Sequence, residues 1–167
     1  MSTVIAVPSQ DEIDLQAAME FIWREAELLD SHDYKPWLAL WTDAGRYIIP
    51  IERGVADYAA VLNVAYDDRD MREARVKRLR SGFSMSSAPP ARTVRTVSRF
   101  VKAEAAEGAL TVRAAQHLVE YKYERTRILA ADVTYRLVRT GTGLKLDLKV
   151  VQLINSDDAL HGIGYLF

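Results

Sequence analysis

Apolar residues first recur at steps of four and three. Leu15, Met19, Ile22, Ala26 and Leu29 form one stripe, the signature of an amphipathic helix. The spacing predicts a helix from Gln10 to His32. Ser9-Gln10-Asp11-Glu12 reads as a capping box with Pro8 just outside it, and acids in the first turn suit the helix dipole. "YKPWLALW" predicts a short second helix with Pro36 near its first turn. "GRYIIPI" then reads as a strand in which Pro50, lacking an N–H, marks an edge or an end. "GVADYAAVLNVAY" fits a loop with a helical turn. "DDRDMREARVKRLRSGF" predicts a third helix, opened by Asp67 or Asp68. Its apolar stripe is thin, holding Val76, Leu79 and Phe83, with arginines in most other directions.

From there the period drops to two. "ALTVRAAQHLVEYKYER" is long and half-alternating. In "RILAADVTYRLVR", Leu129, Ala131, Val133, Tyr135 and Leu137 share one face, with Asp132, Thr134 and Arg136 on the other. "TGTG" is a turn. In "LKLDLKVVQLIN", Leu144, Leu146 and Leu148 face one way and Lys145, Asp147 and Lys149 the other. These are the signals of an antiparallel meander, and "ALHGIGYLF" offers a last short strand. Helices segregated from a meander predict an α+β fold, with N-terminal helices packed on the concave face of a strongly curved, mostly antiparallel sheet. The expected organisation is an N-terminal arm over residues 1–9 and a single domain over residues 10–167.

Composition narrows the function classes. The 167 residues are 49% hydrophobic and 27% charged, with a formal net charge of -1, an ordinary globular balance. There is no cysteine. That excludes disulfides, cysteine-ligated zinc or iron–sulfur clusters, and thiol nucleophiles. No signal peptide or span of about 20 apolar residues is visible, so a cytoplasmic location is expected. A pI of about 6.3 argues against a dedicated nucleic-acid binder. Charge is nevertheless uneven. Acids dominate before Tyr34, whereas nine bases lie between Arg69 and Arg99 against Asp70 and Glu73. Such blocks meet each other or a partner.

Little else suggests chemistry. His32, His117 and His161 have no metal-ligand spacing. Ser81, Ser84, Ser86 and Ser87 read as turn formers. "GIGYLF" has Phe167 where a dinucleotide fingerprint needs its third glycine. A pocket inside the curved sheet is the main alternative. Tyr47, His117, Asp132 and Tyr135 are the polar groups that strands could aim inward, giving a free-standing isomerase or dehydratase or a small-ligand-binding module. The alternation instead places Asp132 on the solvent side.

Several stretches resemble the small (beta) subunit of bacterial aromatic-ring-hydroxylating dioxygenases. These are "EAELLDSHDYKPWLALWTDAGRYIIPI", "VKRLRSGFSMSSAPPARTVRTVSRF", "RILAADVTYRLVRTGTGLKLDLKVVQLIN" and "SDDALHGIGYLF". Ala91 stands for the family's usual Ser and Arg99 for its usual Asn. The wider likeness is to the cone-shaped nuclear transport factor 2 class. The resemblance implies a non-catalytic subunit of an oxidoreductase used in aromatic hydrocarbon catabolism. It implies trimeric self-association beneath three large (alpha) subunits, forming a hexamer. The large subunit would carry a Rieske 2Fe-2S cluster and a mononuclear iron and bind the substrate, with electrons derived from NADH. This chain would hold no catalytic residue, metal or cofactor, and would meet neither nucleic acid nor membrane.

The expected interface residues are Arg72, Arg75, Arg78 and Arg80 on the third helix and Pro89, Pro90, Arg92 and Arg95 in the "PPARTVR" block, together with the C-terminal strand end. Guanidinium forks suit carboxylates across subunit seams. Pro89 and Pro90 force an extended crossing. Arg92 and Arg95 then meet carboxylates either on a neighbour or on the acidic first helix.

Overall fold

The computed structural model describes residues 12–81, 89–158 and 163–167; the expected N-terminal arm, most of the capping box, Phe83, Ser84, Ser86, Ser87 and His161 lie outside them. Helix α1 runs over Leu15–Asp30 and α2 over Tyr34–Ala39. Strand β1 spans Trp41–Pro50 and β2 Asn63–Asp67, followed by α3 at Arg69–Ser81. Four long strands complete the order: β3 Arg92–Ala106, β4 Ala109–Lys122, β5 Arg125–Thr140 and β6 Gly143–Leu153. They form one sheet in the order β2-β1-β6-β5-β4-β3. Every pairing is antiparallel except β1 with β6. No described helix is long and apolar enough to cross a membrane.

Helix α1 starts five residues later than the pattern predicts. Asp14 occupies the N-cap position, and Ile13 before it is buried in the core. The predicted stripe is otherwise sound. Ile22, Ala26 and Leu29 are buried, joined by Ala18, Leu28 and, unexpectedly, Glu25. The helix ends in a Schellman turn, with Asp33 N–H donating to the Leu28 carbonyl at 2.9 Å and His32 N–H to Leu29 at 3.2 Å. His32 takes the left-handed conformation, φ 56°. Its ring bonds the Tyr34 hydroxyl and the Ala91 carbonyl, each at 3.1 Å. The ambiguous segment resolves into a 3₁₀ turn at Tyr58–Ala60 and the edge strand β2.

Two alternation readings meet different fates. β5 is as predicted, with Leu129, Ala131, Val133, Tyr135 and Leu137 buried and Asp132 exposed. β6 is not. Arg136 pairs with Leu148 while the next residue, Leu137, pairs with Leu146. Asp147 is therefore the extra residue of a β-bulge, held by Thr42 Oγ1 and Arg136 Nη1, each at 2.8 Å. A one-residue insertion reverses which side chains face the core. Leu148 turns outward, while Lys149, Val151 and Leu153 turn in, each 0% exposed. The expected last strand is absent over residues 163–167. Their main-chain groups bond side chains of the cone instead of a neighbouring ladder.

Candidate functional site

The interior of the cone is the natural place for a site, and its floor is one row across the sheet. Val112 pairs with Tyr135, Tyr135 with Lys149, Lys149 with Tyr47 and Tyr47 with Asp67. All five are buried. From the helical layer α1 adds Glu25 and α2 adds Trp37. Lys149 Nζ donates to Glu25 Oε1 at 2.7 Å, and Trp37 Nε1 donates to the same oxygen at 2.9 Å. Trp37, Trp41 and Tyr47 meet edge to face, with centroids 5.5 to 6.2 Å apart, a favoured arrangement of ring quadrupoles.

The chain's own C-terminal segment completes this cluster. Lys149 Nζ donates a second bond to the Phe167 main-chain oxygen at 2.7 Å. The Tyr47 hydroxyl accepts from Phe167 N–H at 2.9 Å and reaches its oxygen at 3.4 Å. Arg95 Nη2 donates to the Leu166 carbonyl. Tyr165, Leu166 and Phe167 are all buried. The row that could line a pocket thus holds a strap of the same chain.

Electrostatics follow from that burial. Burial pulls Lys149 below the usual lysine range, while the adjacent Glu25 works against the shift. Burial raises Tyr47 and Tyr135 well above the ordinary phenol value. The Tyr135 hydroxyl and Glu25 Oε2 have no hydrogen-bond partner among the described residues. A tyrosine held neutral and a lysine already paired make poor proton-transfer partners.

The four candidate pocket residues separate. Tyr47 and Tyr135 are inside, whereas His117 and Asp132 are exposed on the opposite face of the sheet. There Asp132 accepts from Arg99 at 2.5 Å and Arg53 at 3.3 Å. The parity of β4 and β5 sets this separation, since His117 pairs with Ala130, an outward position. Among the described residues, no group of three or more His, Cys, Asp or Glu could hold a metal ion. Glu25 and Lys149 were not legible in the sequence. Glu25 carries a weak signal, lying four residues before Leu29 and three after Ile22 on the apolar stripe.

The arginines also divide. Arg72 points into the chain, stacked 4.3 Å over Trp41 and donating to the carbonyls of Gly45 at 2.5 Å and Thr42 at 3.3 Å. It thereby supplies the anchoring that the thin apolar stripe of α3 lacks. Arg75 forms a two-pronged pair with buried Asp67, at 2.5 and 2.8 Å. Arg95 is enclosed as well, bound through Nη1 to Asp30 of α1, while its N–H donates to the other Asp30 oxygen at 2.8 Å. Of the two carboxylate sources expected for Arg95, the acidic first helix is the one it reaches. Arg78, Arg80, Pro89, Pro90 and Arg92 face solvent, with Arg92 lying 5.4 Å over the Tyr121 ring. Beside it Val94, Val119 and Ile128 form an exposed apolar row across β3, β4 and β5.

Known proteins share this architecture. The chain is 29% identical over 154 residues to the 2-halobenzoate 1,2-dioxygenase small subunit of Burkholderia cepacia, covering 86% of this chain and 88% of that one. It is also 29% identical over 160 residues to the N,N-dimethyl phenylurea N-demethylase subunit beta of Sphingobium sp. (strain YBL2), covering 91% and 88%. The crystal structure of the beta subunit of benzoate 1,2-dioxygenase from Burkholderia mallei superposes with a TM-score of 0.76 at 25% identity, over 92% of this chain and 98% of that one. Residues 24–157 match the sequence family described as ring hydroxylating beta subunit, and the chain belongs to that family.

Proposed function

We propose that this chain is the non-catalytic small subunit of a Rieske-type aromatic-ring-hydroxylating dioxygenase, and that it supports assembly and stability of the large subunit. One observation carries the reading. The concave interior, where a free-standing enzyme of this fold would hold substrate, is filled by Trp37, Tyr47, Lys149 and the chain's own Phe167. The large subunit then supplies the 2Fe-2S cluster, the mononuclear iron and the aromatic-substrate site, with electrons derived from NADH. Three small and three large subunits make a cytoplasmic hexamer. The seam forms from the solvent-facing cations Arg78, Arg80 and Arg92, the Pro89-Pro90 crossing and the apolar row Val94–Val119–Ile128. Exposed apolar rows rimmed by arginine suit a protein partner.

The test is Arg92→Glu co-expressed with the large subunit. Arg92 is exposed, so the isolated variant is expected to keep its circular dichroism spectrum and its thermal midpoint within a few degrees. Its co-elution with the large subunit on size exclusion is expected to fall. A normal hexamer peak would remove Arg92 from the seam.

A further inference from the structure

The outer face of the sheet carries a second, independent cluster. The row next to the buried one runs Val101, Arg113, Thr134, Val150, each paired to the next across β3, β4, β5 and β6. The adjoining row runs Ser98, Ala115, Asp132, Gln152. The segment between β1 and β2 folds over one side of these rows, bringing Gly54 and Tyr58 to the edge of a groove of about 620 Å³. That segment is tied down. Ser156 Oγ donates to the Ile51 carbonyl at 2.6 Å, and Gln152 Nε2 donates to Ser156 Oγ at 3.0 Å. Arg53 reaches the Leu153 carbonyl at 3.4 Å.

Charge in the groove is unbalanced. Arg53 and Arg99 both bond Asp132, so one carboxylate already has two guanidiniums. Arg113 lines the same groove, and among the described residues it has no hydrogen-bond or ion-pair partner. Two lining arginines, Arg99 and Arg113, stand against one lining aspartate, and Arg53 adds a further cation on the same Asp132. Arg99 holds its place from a left-handed backbone, φ 55°, inside a β-bulge between Ser98 and Val101. A long side chain at positive φ is uncommon, and bulges re-aim side chains. Val101 and Val150 give the groove apolar walls, with the Tyr58 ring at its edge.

We propose that this groove binds a carboxylate attached to a flat or apolar body, with the anion on Arg113 and Arg99 and the body between Val101 and Tyr58. Arginine forks match carboxylates with two parallel bonds. The carboxylate comes either from a free small acid or from an acidic side chain of an assembled subunit. Binding of a free acid concerns this chain's own groove alone, whereas the side-chain source rests on the subunit reading.

Titration of the isolated full chain with benzoate, followed by backbone amide NMR, tests it. Saturable shifts are expected at residues 113, 134 and 152, with half-saturation in the millimolar range. Neutral benzamide should give none. Arg113→Met should weaken benzoate about tenfold, the loss of a charge-assisted bond. Because Arg113 is exposed and unbonded, the variant keeps its spectrum outside the groove. Lys77→Met, an exposed position of α3 outside the groove lining, should leave binding unchanged. Repeating the titration on the chain assembled with its large subunit distinguishes the sources. Loss of the shifts there identifies an acidic side chain as the occupant, and their persistence identifies a free acid. Unsaturable or scattered shifts up to about 50 mM, equal shifts with benzamide, or full binding by Arg113→Met would each overturn the proposal.

Discussion

Replacing Lys149 with Met tests what holds the filled cone together. Lys149 is 0% exposed and its ammonium sits 2.7 Å from Glu25. At an effective dielectric of about 20, that separation corresponds to about 6 kcal/mol of attraction. Removing two ions from water costs several kcal/mol each, so the net worth of the pair is small. Breaking it is another matter. In Lys149→Met, Glu25 stays buried with a single donor, Trp37, and the Phe167 oxygen loses its charged partner. A half-broken buried pair costs about 3–5 kcal/mol. The double variant Glu25→Gln, Lys149→Met keeps an acceptor for Trp37 and removes both charges. It should recover at least about 2 kcal/mol of that loss, since replacing both ions is often close to neutral.

Urea unfolding at fixed protein concentration, followed by tryptophan emission, provides the readout, because Trp37 bonds Glu25 directly. A Lys149→Met variant within about 1 kcal/mol of the parent, or a double variant no more stable than the single one, refutes the reasoning. The pH dependence carries a definite sign. Folding lowers the Lys149 pKa from its ordinary 10.5. Between the folded value and 10.5 the unfolded chain binds the extra proton, so this group's contribution to stability rises with pH across that window.

Four phenols act in the opposite sense. Burial raises Tyr34, Tyr47, Tyr135 and Tyr165 above 10.0, so the unfolded chain loses protons first and stability should fall as pH climbs past 10. Thermal midpoints from about pH 9 to about pH 11 check this, and Tyr135→Phe should flatten the decline. At neutral pH that variant should be unchanged or up to about 1 kcal/mol more stable, because the lost hydroxyl is buried without a partner. Arg95→Met should cost about 1.5–3 kcal/mol and raise proteolysis near residues 163–167, since Arg95 binds both Asp30 and the Leu166 carbonyl; resistance equal to the parent would count against the strap. Gly45→Ala should destabilise by about 1–3 kcal/mol in urea, because a Cβ there would lie 2.9 Å from Trp41 and 3.1 Å from the Leu146 carbonyl.

The parts that were legible in the sequence follow one periodicity at a time. α1 and β5 keep an unbroken period, so their buried faces can be read directly. Where two periods join, the reading fails for a physical reason. Asp147 looks like one more outward residue of β6, yet the bulge there is specified by Thr42 and Arg136, distant in sequence. A local pattern carries no trace of such a contact. The same bulge brings Lys149 inward, and that ammonium requires a buried carboxylate. Glu25 meets the need only because α1 crosses the sheet at that row. Of the four candidate pocket residues, Tyr47 and Tyr135 face inward and His117 and Asp132 outward, and for Asp132 the unbroken alternation of β5 already points that way.

The arginines show a related limit. Of the bases of residues 69–99, Arg69, Arg75, Arg95 and Arg99 meet acids of the same chain, whereas Arg72 meets carbonyls and Arg78, Arg80 and Arg92 face solvent. Charge asymmetry alone cannot sort them. Arg72 and Arg95 turn inward because each has a ready-made cradle: carbonyls of β1 under Trp41 for one, Asp30 and the strap for the other. Both therefore act as core residues carrying charge. Their loss should unfold or loosen the chain before any assembly could be measured. Arg78, Arg80 and Arg92 have no such cradle. Only substitutions at those exposed positions separate folding from association. This is why Arg92→Glu bears on the subunit reading and Arg95→Met does not.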